Sequence, residues 1–226
     1  MKHLLAVSLL ILSTQATAQT APGPLARMVT IQPRPGMAPE FEKGYRRHLE
    51  WHRKAGDSWT WHGWSFVLGE RLGMFMDGTF GHTAPSFDSA VQPAADAADN
   101  AVNVTPYADF ASHALFRRLD GASVGQALPD ASAFLALATY SITPGEEAGF
   151  ERLLAARRHR AAAGQRFTWY RLENGGTGPQ YVLMQAAASF GAAAALPAVA
   201  PSGPMVRSVR TELLRYRADM SYSPGN

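Results

Sequence analysis

The chain has 226 residues, 46% of them hydrophobic, with 21 Lys and Arg against 18 Asp and Glu, a formal charge of +3 and no cysteine. That apolar share supports a packed core and excludes disorder of the whole chain. The lack of cysteine excludes disulfides, thiolate zinc sites, iron–sulfur clusters and a cysteine nucleophile, and a small charge built from scattered basic residues gives no basis for binding nucleic acid.

Met1-Lys2-His3 is a short basic start, Leu4 to Leu12 is an apolar run, and Ala16-Thr17-Ala18 supplies the small residues of a cleavage site. Residues 1–18 therefore read as a signal peptide. The run is about nine residues, well short of the roughly 20 that span a bilayer. The expected mature chain begins at Gln19, has no integral membrane segment, and is periplasmic or secreted.

Leu25 to Gln32 reads as a strand. Pro33, Pro35, Gly36 and Pro39 make a turn, after which Phe41, Tyr45, Leu49 and His52 recur at helical spacing to about residue 55. Trp59 to Leu68 and Met74 to Phe80 read as a strand hairpin around the Gly69–Gly73 turn. A short helix is predicted over Ser86 to Ala98 and a longer one from Tyr107 to Leu119. Gly121, Gly125, Pro129 and Asp130 mark a linker over residues 121–131. Beyond it come a strand at Phe134 to Ile142, a Pro144-Gly145 turn, and a helix at Glu146 to Ala163. Strands at Arg166 to Leu172 and Gln180 to Ala187 follow, then a short helix at Ala192 to Ala200 and a last helix at Met205 to Arg217. The tail from Ser221 is expected to fray.

Pro35-Gly36 with Phe41-Glu42 recurs 109 positions later as Pro144-Gly145 with Phe150-Glu151. Trp59-Thr60-Trp61 is echoed by Phe167-Thr168-Trp169, and Ala114-Leu115-Phe116-Arg117 by Glu212-Leu213-Leu214-Arg215. The shared order predicts an α+β fold of two β-α-β-β-α units in tandem, residues 19–120 and 132–222. On the strand Trp59 to Leu68, Trp59, Trp61, Gly63, Ser65 and Val67 share one face, while Thr60, His62, Trp64, Phe66 and Leu68 share the other. Large apolar groups on both faces call for a covering layer on each.

In this element order and its repeated Pro-Gly turn the chain resembles the dimeric α+β barrel superfamily, which includes antibiotic-biosynthesis-type monooxygenases, NIPSNAP-like proteins and haem-binding chlorite-dismutase-like proteins. The resemblance covers roughly residues 25 to 219. It implies ferredoxin-like units whose sheets pack together as an α+β barrel, with a pocket between sheet and helices.

Several residues are candidates for chemistry. His48 and His52 lie one helical turn apart and can share a metal. His62, Asp77 and His82 sit on or beside the hairpin, where a histidine meeting a carboxylate in a dry pocket makes an acid/base pair. Trp61, Trp64 and Trp169 offer an aromatic lining, and Tyr170 and Gln185 can orient a ligand. The basic residues of the two predicted helices, such as Arg46 and Arg157, face solvent. The leading expectation is an exported protein that binds a small apolar or aromatic molecule, as monomer or homodimer, with no cofactor specified. The alternatives are a cofactor-independent monooxygenase acting on aromatic substrates, a haem protein ligated through His52 or His82, and a structural or interaction protein with a filled interior.

Overall fold

The computed structural model describes residues 22–196 and 203–225. The predicted signal peptide, residues 19–21 and the end of the predicted Ala192–Ala200 helix lie outside the described residues. The first half runs β1 (Leu25–Pro33), α1 (Ala38–Ala55), β2 (His62–Leu68), β3 (Phe75–His82), α2 (Ala84–Asp88), α3 (Pro93–Asn103) and β4 (Ala108–Arg118). The second runs β5 (Phe134–Ile142), α4 (Glu147–Arg158), β6 (Thr168–Asn174), β7 (Gln180–Ala187), α5 (Phe190–Ala194) and β8 (Val206–Tyr216).

The repeated Pro-Gly pair makes the same turn twice. Gly36 at φ 77° and Gly145 at φ 91° occupy the left-handed region that a side chain disfavours. Helix α1 then closes on Gly56 at φ 68°, with Arg53 and Lys54 in the last turn, where positive groups suit the exposed carbonyls.

All strand pairs are antiparallel. The first half bonds in the order β4-β1-β3-β2 and the second in the equivalent order β8-β5-β7-β6. β2 then pairs with β8 and β6 with β4, so the eight strands form one sheet that closes on itself. This corrects the expected fold. Two β-α-β-β-α units with separate sheets packed together as an α+β barrel are not what forms. The halves share a single hydrogen-bonded sheet, because the outer strands of each satisfy the unpaired edges of the other.

The segments read as closing helices, Tyr107 to Leu119 and Met205 to Arg217, are strands β4 and β8. In β4 the stretch from Asp109 to His113 is exposed; Ala108 enters the core under α1, and Ala114 and Phe116 enter the interior. Alternation is thus expressed over too few residues to register as a strand. The predicted 86–98 helix is two helices, α2 and α3. The tail also departs from expectation: Tyr222 is buried, pairs with Trp61 as an isolated bridge, and donates its hydroxyl to the Asp57 carbonyl at 2.7 Å.

Side-chain alternation sorts the core into an inside and two outsides. Trp64, Phe66, Met76, Phe116, Leu137 and Leu214 fill much of the interior. On the outer face of the first half, α1 lays Phe41, Tyr45 and Leu49 on Val29, Ile31 and Phe75. On the second, α4 lays Phe150 and Leu154 on Tyr140, Trp169 and Tyr181. Helix α3 contributes no buried residue and packs on α1. Gly44 permits this approach, since a Cβ there would fall 1.8 Å from the Asn103 carbonyl oxygen.

Candidate functional site

Inside the closed sheet, one end holds a cavity of about 370 Å³. Met28, Met76, Phe116, Leu137, Leu172 and Val182 form apolar walls, and Thr30, Thr139, Gln180, Arg71 and Arg210 supply polar groups. Arg71 forks onto Glu212, with Nε 2.9 Å from Oε1 and 3.1 Å from Oε2, and donates through Nη1 to Thr30 Oγ1 at 3.0 Å. Its guanidinium lies 4.3 Å from the centre of the Phe66 ring. Arg210 Nε stands 3.5 Å from Glu212 Oε2. Arg210 Nη1 also stands 4.0 Å from the exposed Glu70 Oε2, at the edge of the ion-pair range, whereas Glu212 is the one buried carboxylate. Because an exposed pair is screened by water, two guanidinium groups around one buried carboxylate still favour an anionic group on an otherwise apolar molecule.

His62, Trp64, Phe80, Tyr170 and Tyr216 form an aromatic cluster in the same interior. His62 stacks on Trp64 at 5.5 Å, Phe80 meets Tyr170 at 5.8 Å, and Trp64 meets Tyr216 at 6.0 Å. His62 Nδ1 and Trp64 Nε1 are buried without a hydrogen-bond partner. Burial holds the His62 imidazole below its ordinary pKa, so it is neutral at pH 7. Tyr170 donates its hydroxyl to the Leu128 carbonyl, and burial pushes its phenol up.

Asp77 and His82 face the other way, toward the helices. Asp77 accepts from the Tyr45 hydroxyl at 3.0 Å, while its second oxygen has no partner. Burial pushes its carboxyl up to about 6, against the opposing pull of Arg27 and Tyr45. His82 Nε2 lies 2.6 Å from Thr79 Oγ1 and its ring lies 4.2 Å from Trp59; burial brings its pKa down to about 4.

A third group lies between α1 and α3. His48 and His52 are buried on one face of α1 with their Nε2 atoms 3.2 Å apart. Asp96 of α3 brings Oδ1 to 3.3 Å from His48 Nε2 and 3.9 Å from His52 Nε2. Behind the imidazoles, His48 Nδ1 meets Asp99 Oδ2 and His52 Nδ1 meets Asp57 Oδ2, both at 2.8 Å. Burial draws the His48 pKa down, with Asp99 pulling the other way. Asp57 is held in turn by Trp61 Nε1 at 2.8 Å and the Trp59 amide at 3.0 Å, and these bonds with His52 keep its carboxyl low despite burial.

The predicted catalytic set is therefore divided. In the β2–β3 register His62 opposes Gly78 and Gly63 opposes Asp77, so His62 and Asp77 point to opposite faces of the sheet and do not pair. The predicted ligand set is divided as well. Trp64 and Tyr170 face the interior, whereas Trp61 and Trp169 belong to the outer cores. Gln185 stands opposite Ala136 on the outer parity of the sheet. None of these eight predicted catalytic and ligand residues lines the interior cavity. Its polar residues, Arg71 and Arg210, went unpredicted, as did Asp96, Asp99 and Asp57 around the histidine pair. Asp96, Asp99 and Asn100 do recur at helical spacing, and Glu212 shares the parity of Leu214 and Tyr216, so both signals are present in the sequence.

No family model matches this sequence and no curated protein matches it. Solved structures do resemble the chain. A proposed monooxygenase from Lactobacillus acidophilus NCFM superposes with a TM-score of 0.58 at 10% identity, covering 90% of this chain and 97% of that one. An anthrone oxidase-like protein gives 0.55 at 12% identity, over 90% of this chain and 94% of that one. A chlorite dismutase variant from Candidatus Nitrospira defluvii gives 0.59 at 6% identity, over 88% and 92%. The fold is thus ferredoxin-like and related to that of monooxygenase- and chlorite-dismutase-like proteins, at low identity over most of the chain.

The residues expected to ligate haem do not fit that group. His52 Nε2 is closed in between His48 Nε2 and Asp96 Oδ1 beneath α3, His82 is tied to Thr79 and packed against Trp59, and neither lines the interior cavity. Among the described residues no helix is long and apolar enough to cross a membrane.

Proposed function

We propose that the protein binds a small aromatic molecule carrying one acidic group inside its closed sheet and promotes oxidation of that molecule by molecular oxygen. The observation that carries this reading is the interior cavity, with apolar walls and the Arg71 and Arg210 guanidinium groups at its polar side. The charge beside the cavity lowers the free energy of the ionised substrate, and an ionised aromatic is the electron-rich form that reacts with oxygen. A ring methylene then becomes a carbonyl, with one oxygen atom retained and the other leaving as water. Fold relatives described as a proposed monooxygenase and an anthrone oxidase-like protein support this reaction class.

The test is oxygen uptake with hydroxylated tricyclic ketones that carry an acidic ring methylene, compared between wild type, Arg210→Gln and Leu137→Phe. The reading expects uptake by the wild type and its loss in both variants. Saturable tryptophan quenching without oxygen uptake would overturn the oxidation and leave a binding protein. Unchanged uptake in both variants would remove the reaction from this cavity.

A further inference from the structure

The histidine pair on α1 lies outside the sheet, apart from the interior cavity, and the proposed oxidation makes no use of it. Each imidazole has its Nδ1 on a carboxylate, His48 on Asp99 and His52 on Asp57, both at 2.8 Å. A carboxylate can only accept, so both Nδ1 atoms carry a proton and each Nε2 is the ring nitrogen left to take a metal. Those two Nε2 atoms converge with Asp96 Oδ1 in a triangle of 3.2, 3.3 and 3.9 Å. Asn100 Nδ2 donates into this group, at 3.0 Å from His48 Nε2 and 3.1 Å from Asp96 Oδ1. Two imidazoles and a carboxylate brought this close form a ligand set for a cation. Ligands held at 2.0–2.1 Å around a tetrahedral ion stand about 3.3 Å from one another, close to the spacing found here.

We propose that His48, His52 and Asp96 bind a divalent first-row transition metal, zinc or iron(II), with Asp99 and Asp57 orienting the two imidazoles. Carboxylates behind metal-bound histidines fix the tautomer and the ring orientation, the arrangement found at both histidines here. Imidazole with carboxylate suits zinc and iron and leaves at least one coordination position open. Asp96, whose side chain is 28% exposed, faces outward, so a metal enters and exogenous ligands approach from that side.

Two further observations point to the same site. Helix α3 has no buried residue, and His48, Arg47 and the Asp99–Asn103 face hold it against α1 through polar contacts. A shared ion would tie the two helices directly. The second half of the chain builds the same strand order with Arg157 and Ala161 in place of the two histidines, 109 positions on, and among the described residues only the five-residue α5 stands between β7 and β8. The fold therefore does not require this cluster, and it is an addition specific to the first half.

The test uses the full tag-free chain, stripped with chelator and then equilibrated separately with Zn²⁺, with Co²⁺ as an optical probe, and with Fe²⁺ without oxygen. Bound metal is read by elemental analysis after dialysis, and ligand type by the Co²⁺ visible spectrum. We expect one equivalent bound and a rise in thermal midpoint on loading. His48→Gln should abolish retention. Asp96→Asn and Asp99→Asn should each weaken affinity about 10- to 100-fold, with the helical circular dichroism of the metal-free variants matching wild type. Because Asp96 is half-buried at the surface of α3, its substitution keeps the test valid if a histidine variant fails to fold. Failure of folded wild type to retain any of the three ions, or equal retention by wild type and Asp96→Asn, would overturn the site.

Discussion

Replacing Asp77 with Asn tests the electrostatics beneath α1. Asp77 is 6% exposed, accepts one bond from Tyr45, and has its carboxyl pushed up from 3.8 to about 6 by burial. A carboxyl that binds its proton more tightly in the folded chain than in the unfolded one adds stability at low pH. That contribution is lost as pH rises from about 4 through about 6. At 1.36 kcal/mol per pH unit the interval corresponds to about 3 kcal/mol. Asn is close in shape to the protonated acid and can still accept from Tyr45. The difference in unfolding free energy between Asp77→Asn and wild type should therefore move by about 2.5 kcal/mol in favour of the variant between pH 4 and pH 7.5, the rest of the change falling below pH 4. His82, brought down to about 4, opposes this slope in the wild type, because the unfolded histidine takes up a proton that the folded one refuses. The variant should thus show stability rising with pH over the window where the wild type is flatter. Urea unfolding at closely spaced pH values measures both curves. A variant-minus-wild-type difference that stays constant from pH 4 to 7.5 would refute the assignment.

Arg210→Gln should weaken binding of an anionic aromatic about tenfold or more, the loss of one charge-assisted contact, and reduce its salt dependence by calorimetric titration. Phe150→Ala removes a ring that is fully buried against Tyr140, Trp169 and Tyr181, and should destabilise the chain by about 3–5 kcal/mol in chemical denaturation. Gly44→Ala places a methyl on the Asn103 carbonyl and should lift α3 from α1, seen as faster amide exchange across Pro93–Asn103 with the strands unchanged.

Local rules located much of this fold. The strands Phe134–Ile142 and Gln180–Ala187 coincide with their expected ranges, because each is buried along its length and carries a continuous apolar signal. The two Pro-Gly turns are legible because the backbone there needs φ above zero. Strands β4 and β8 are not, since each leaves its first half exposed and joins the other half of the molecule with the remainder. The closure of the sheet depends on pairings between residues far apart, such as Trp64 with Tyr216, and no local pattern encodes these. The site divides in the same manner. The one-turn spacing of His48 and His52 is visible in the sequence, whereas the approach of Asp96 depends on how α3 crosses α1 at Gly44. His62 and Asp77 are plausible partners only while the register is unknown, and one residue of parity separates them.

The most direct test of the account is a structure of the chain crystallised with a hydroxylated aromatic ketone or aromatic carboxylate. The account predicts the ring between Met76 and Leu137 inside the sheet, with its acidic oxygen within hydrogen-bond distance of Arg71 or Arg210. A ligand seated on the helix side against Asp77, with the interior unchanged, would contradict it.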